Sequence, residues 1–168
     1  MNAPAKISQH NTIMPAEWEP HAATWIAWPH EETDWPGKFG TIPWVYAEIV
    51  RVLARSERVE ILCYDKAVKE QAIGCLKLHD VSPERYRLHL VKNDRSWLRD
   101  SGPIAVKDQN TKSVSWVGWR FNGWAKYPNF LADEHVAASI SALSEKPLNV
   151  AHRPDNGERI VLEGGSID

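Results

Sequence analysis

The feature that most restricts the fold is an alternation of two periods. Short apolar runs rich in β-formers take turns with longer segments whose apolar residues recur at helical spacing. Ala22 to Trp28 is the first such run and predicts a buried strand, ended by Pro29. Pro43 to Arg55 predicts a helix, with Pro43 in its first turn and Val45, Ile49, Val52 and Leu53 on one apolar face. Arg58 to Tyr64 reads as a strand. Asp65 reads as the N-cap of a helix reaching about Leu78, with Val68, Ala72, Cys75 and Leu76 as its apolar positions. Arg85 to Val91 alternates as another strand. Ile104 to Lys107 and Val114 to Trp119 predict a strand pair joined at Asp108-Gln109-Asn110. Phe130 to Leu143 predicts a helix on Leu131, Val136, Ile140 and Leu143; Leu148 to His152 and Arg159 to Leu162 predict strands. Strands that alternate with helices make an α/β protein.

At 168 residues, 43% of them hydrophobic, the chain is long enough to build a core. A net charge of -2 gives no support for a nucleic-acid or membrane-surface partner. No apolar run reaches bilayer-spanning length. The polar N-terminus lacks the apolar stretch of a signal peptide and reads as a flexible leader over residues 1–13. Two cysteines, Cys63 and Cys75, make no disulfide scaffold and point to a reducing cytoplasm.

Nine tryptophans are unusual, and several sit beside charge or proline rather than in apolar runs. The densest example is Ser96-Trp97-Leu98-Arg99-Asp100-Ser101-Gly102-Pro103, just before a Gly-Pro turn. A carboxylate accepts paired hydrogen bonds from a flat cation, and an indole face attracts its delocalised charge. Trp97 and Asp100 together suit a site that holds a guanidinium. An ionic Arg99–Asp100 turn with Trp97 as a core plug accounts equally well for the segment taken alone. Glu163 closes the run Ile160-Val161-Leu162 before Gly164-Gly165, where glycines admit a ligand or another backbone. It reads as a general acid/base or cation ligand, or as a solvated turn residue. Two further loops combine aromatics with polar groups: Pro29 to Phe39, which holds Asp34 and Trp35, and Arg120 to Tyr127, which holds Trp124. Phe39 reads as a side chain that packs its own loop.

None of the seven histidines stands at zinc-site spacing from another ligand. Cys63 lies in an apolar strand and Cys75 on an apolar helix face, with no neighbouring base, so both read as inert thiols. No nucleophile elbow, phosphate loop or dinucleotide fingerprint is present.

Met-Pro-Ala-Glu-Trp-Glu-Pro-His (14–21), Trp-Ile-Ala-Trp-Pro-His (25–30), Asp-Trp-Pro-Gly (34–37), Trp-Leu-Arg-Asp-Ser-Gly-Pro (97–103), Phe-Asn-Gly-Trp-Ala-Lys-Tyr (121–127) and Leu-Glu-Gly-Gly-Ser-Ile (162–167) occur in this order. Together they resemble the agmatine deiminases of the guanidine-modifying, peptidyl-arginine-deiminase-like group. The resemblance implies a pentein fold, an α/β propeller of ββαβ-type units around a pseudo-fivefold axis. Residues 14–168 then form the N-terminal portion of one catalytic domain, about the first half of the ring. It also implies hydrolysis of agmatine to N-carbamoylputrescine and ammonia through a cysteine-linked intermediate, within putrescine biosynthesis. No metal or organic cofactor is implied, and a homo-oligomer is. By matching position, Asp100 grips the guanidinium and Trp97 stands in the substrate channel. Glu163 contacts the guanidinium and helps position a catalytic histidine. Asp34, Trp35 and Trp124 line the mouth or support these groups. The family's His-x-Asp element and late nucleophilic cysteine have no counterpart in this sequence, so the isolated chain is expected to be inactive. A non-catalytic half-pentein that binds a guanidine or a partner chain, and a deiminase of another arginine-like substrate, remain open readings.

Overall fold

The structure, a computed structural model, describes residues 11–123, 127–162 and 164–167. In chain order its elements are β1 (Thr12–Ile13), β2 (Ala23–Ala27), α1 (Ile42–Leu53), β3 (Arg58–Cys63), α2 (Lys66–Leu78), β4 (Tyr86–Leu90), α3 (Leu98–Ser101), β5 (Ile104–Asp108), β6 (Val114–Gly118), α4 (Val136–Ser144) and β7 (Leu148–Val150). They divide into two compact units: a contiguous one, Pro20–Leu98, and a discontinuous one made of Met1–Glu19 with Arg99–Asp168.

The contiguous unit is a three-stranded sheet in the order β2-β3-β4, parallel throughout. Parallel neighbours need crossovers, which α1 and α2 supply. The central strand, β3, alternates its faces. Val59, Ile61 and Cys63 join Trp28, Ala47, Val50, Ala72 and Leu76 in the core. Glu60, on the other face, is buried between Arg58 at 2.7 Å and His89 at 2.7 Å. Asp65 caps α2 as expected, its Oδ1 accepting from the Val68 N–H at 2.9 Å.

Helix α1 forms where its spacing predicts but turns a different face inward. Pro43, Ala47 and Val50 are buried, whereas Val45, Ile49 and Val52 are exposed; of the expected face only Leu53 packs against the core. Apolar residues occur around most of this helix. The small Ala47 lets the backbone approach the sheet closely, which the bulkier stripe does not.

The discontinuous unit is a four-stranded sheet in the order β1-β5-β6-β7. β5 and β6 form the expected antiparallel hairpin, and α4 leads to β7, parallel to β6. This is a ββαβ arrangement. Thr12 and Ile13, expected within the leader, instead pair with Asp108 and Lys107. A two-residue strand is too short to show a period, so only its partner reveals it. The helix expected from Phe130 begins later, at Val136 after a 3-10 turn over Asp133–His135, and leaves Leu131 and Leu143 exposed. Phe130 is held edge-on by Phe121 at 6.3 Å and Tyr127 at 6.5 Å. The expected strand Arg159 to Leu162 is reduced to single bridges, Arg120 to Val161 and His152 to Arg159. Gly157, at φ 72, sits in the turn that brings Glu158 and Ile160 back to Arg153 and Ala151.

Candidate functional site

The loop after β2 is built on its own hydrogen bonds. Glu31 accepts from the Thr33 backbone N–H at 3.1 Å and from the Thr33 hydroxyl at 2.7 Å. These two bonds, the hydroxyl's first, hold the Glu31 carboxyl below its ordinary range. They also cap the 3-10 turn Glu32–Asp34, which delivers Asp34 inward. The Asp34 carboxylate pairs with Nη1 of Arg95, which also donates to the Thr33 hydroxyl at 3.2 Å. Both side chains are about nine-tenths buried. Asp34 Oδ2 has no hydrogen-bond partner among the described residues. Burial raises the Asp34 carboxyl above its usual range, although the Arg95 guanidinium pulls the other way. The next segment is anchored by Asn93, fully buried, which donates from Nδ2 to the Arg95 carbonyl at 3.0 Å.

Above this ion pair runs a row of aromatics. The Trp97 ring lies 5.4 Å from that of Trp35, tilted by 43°. Trp35 also meets Phe39 at 6.1 Å and Tyr46 edge-on at 6.3 Å. Tyr46 in turn stands edge-on to Trp28, whose indole N–H donates to Gln71 at 3.1 Å. Tilted and edge-on contacts of this kind satisfy the ring quadrupoles. Trp28 is fully buried and Trp97 is 41% exposed, so the row runs from the core to the surface. Phe39 packs its loop, as its position suggests.

The discontinuous unit carries the other expected residues. Asp100 lies in α3, a single helical turn that occupies the place expected for an open turn. Arg99 binds Glu17 at 3.3 Å and donates to the Ile167 carbonyl at 3.1 Å. Gly164 packs directly on Arg99: a Cβ there would stand 2.2 Å from the Arg99 carbonyl oxygen. The Gly164-Gly165 pair thus admits a close backbone at its first position. Glu163 and Trp124 lie outside the described residues.

Of the six expected site residues, Asp34, Trp35 and Trp97 come together in one cluster, and Asp100 belongs to the other unit. Asp34 meets Arg95 rather than solvent. Arg95 is the residue that sequence reasoning missed. Its partner lies 61 positions away, so no local spacing announces the pair. Neither thiol is suited to attack. Burial pushes Cys63 up to about 12, and it also raises Cys75.

Residues 13–168 match the family model of the Porphyromonas-type peptidyl-arginine deiminases. The agmatine deiminase of Medicago truncatula is 30% identical over 94% of this chain and 42% of its own length. That of Pseudomonas aeruginosa strain LESB58 is 32% identical over 92% of this chain and 40% of its own length. The chain therefore spans about two fifths of the length of these curated relatives. Among solved structures, C. jejuni agmatine deiminase superposes with a TM-score of 0.72 at 21% identity, covering 94% of this chain and 43% of that one. The agmatine deiminase of Enterococcus faecalis gives 0.70 at 22%, over 94% and 41%. At such identities the superpositions speak to the fold, which is the mixed α/β fold of these enzymes.

Proposed function

The chain belongs to the Porphyromonas-type peptidyl-arginine deiminase family, and from that membership we propose that it is the substrate-holding share of an agmatine deiminase. The observation that carries this reading is the match to proteins named agmatine deiminase over more than nine-tenths of the chain. The two sheets are then parts of a five-unit pentein ring, and residues 14–168 belong to one catalytic domain.

The chemistry assigns the roles. A guanidinium carbon is a poor electrophile because its charge is delocalised, so the group must be fixed before attack. Asp100 accepts two parallel N–H bonds from the guanidinium, and Glu163 takes a further edge. Trp97 offers an aromatic face to the cation, with Trp35 against it, and Trp124 keeps the mouth-lining or supporting role that the motif resemblance implies. A thiolate adds to the guanidinium carbon, ammonia leaves, and water cleaves the resulting covalent adduct. The products are N-carbamoylputrescine and the free thiolate. Cys63, buried and with its thiol raised to about 12, is unfit for the first step. The nucleophile therefore comes from outside these residues.

Calorimetric titration of the chain with agmatine tests the reading. Binding is expected, and Asp100→Asn should weaken it by about 10- to 100-fold, the worth of a charge-assisted pair of bonds. Release of N-carbamoylputrescine is not expected from this chain alone. Undetectable binding, or unchanged binding in Asp100→Asn, would refute the assignment.

A further inference from the structure

We propose that the buried Asp34–Arg95 pair is a positioning device for Trp97. It pins the loop carrying Trp35 to the segment carrying Trp97, and so fixes the half-exposed indole face on which a planar guanidinium ligand rests. The ligand's identity rests on the function proposed above; the positioning does not.

Four observations converge. Arg95 Nη1 is held by two neighbouring residues of one turn, Asp34 and Thr33, which fixes the place of that nitrogen against the loop. Asn93 donates to the Arg95 carbonyl at 3.0 Å and so holds its backbone. Asn93, Arg95 and Ser96 are buried, and exposure then rises abruptly to 41% at Trp97. Trp97 meets Trp35, the residue after Asp34, at 5.4 Å. The ion pair and the ring contact thus join the same two segments at adjacent points. An apolar contact alone would let the rings slide, whereas a directional pair sets their register. Buried ion pairs contribute little net stability compared with apolar replacements of the same volume, and geometry is their better-attested contribution.

The test is a double-mutant cycle on agmatine affinity. Asp34→Leu with Arg95→Met removes both charges and leaves neither one buried alone, so the unit still folds. This variant should bind agmatine about tenfold more weakly. Trp97→Ala should cost about tenfold in the wild-type background and less than about twofold in the paired variant, because residues acting through one another are not additive. An equal Trp97→Ala penalty in both backgrounds would overturn the proposal. Arg95→Lys, which keeps the charge but has a shorter reach than Nη1, should bind more tightly than the paired variant and more weakly than wild type; it carries the same cycle if the paired variant does not fold.

A ligand-free arm separates this idea from the proposed function. Hydroxyl-radical footprinting reads Trp97 against Trp18, 88% exposed, and Trp28, fully buried. The Trp97 oxidation rate should change more than about twofold when the pair is removed, as its exposure is reset. An unchanged rate sinks the positioning role even where agmatine binds. Absence of agmatine binding, with a changed rate, sinks the function and leaves the positioning standing.

Discussion

Gly164 and Arg99 touch backbone to backbone: a Cβ on Gly164 would lie 2.2 Å from the Arg99 carbonyl oxygen and 2.8 Å from its Cδ. No real Cβ occupies such a distance, and the first obstacle is main chain, which cannot rotate aside. Gly164→Ala should therefore destabilise the discontinuous unit by about 1–3 kcal/mol, the range for overpacking. Gly165→Ala, with nothing within 4 Å, should be nearly neutral. Urea unfolding of the two variants makes the comparison.

The two faces of α1 give a second contrast. Val50 is fully buried and Ile49 is 42% exposed. Val50→Ala should cost about 2 kcal/mol, from lost transfer and a residual cavity. Ile49→Ala should stay within about 0.5 kcal/mol. Equal losses would mean that Val45, Ile49 and Val52 face a core after all.

This reversal shows what a period can convey. Asp65, the β5–β6 hairpin and the strand–helix alternation were legible because each rests on neighbours in sequence. The face of α1 was not, because both sides are apolar and only the sheet selects the side with Ala47. In the candidate site, Trp97 stood out by its company, yet its support did not. The obvious ionic partner for a reader is Arg99 beside Asp100. Arg99 reaches Glu17 and Ile167, while the buried pair joins Asp34 to Arg95 across most of the contiguous unit.

The turn between β5 and β6 should respond to pH. Asp108 Oδ1 accepts the N–H groups of Thr111 at 2.8 Å and Asn110 at 2.9 Å. These bonds, led by that from Thr111, hold its carboxyl below the ordinary range. A carboxyl depressed by folding adds stability above its unfolded value, and that stability fades as pH falls through the folded value. Asp108→Asn should thus be less stable than wild type near neutrality, and the gap should close below about pH 4. Denaturation midpoints across this range decide it; a gap that widens on acidification refutes the charge-based account.

Thiol labelling should follow burial. Cys63 is fully buried with its thiol raised to about 12, while Cys75 is only partly buried. Iodoacetamide at mildly alkaline pH should modify Cys75 slowly and Cys63 only on unfolding. Mass spectrometry of the labelled peptides reads both. Rapid alkylation of Cys63 in the folded chain would reopen the question of a nucleophile within these residues.

The pairing of Ile13 with Lys107 sets an order of events during synthesis. Thr12 and Ile13 are made before Pro20–Leu98, and their partner strand emerges only after all of it. The contiguous unit can close while translation continues, since each of its crossovers joins strands already made. The N-terminal segment must wait with unpaired backbone groups until β5 arrives. The strand made before Pro20–Leu98 thus finds its partner only after that unit has been made.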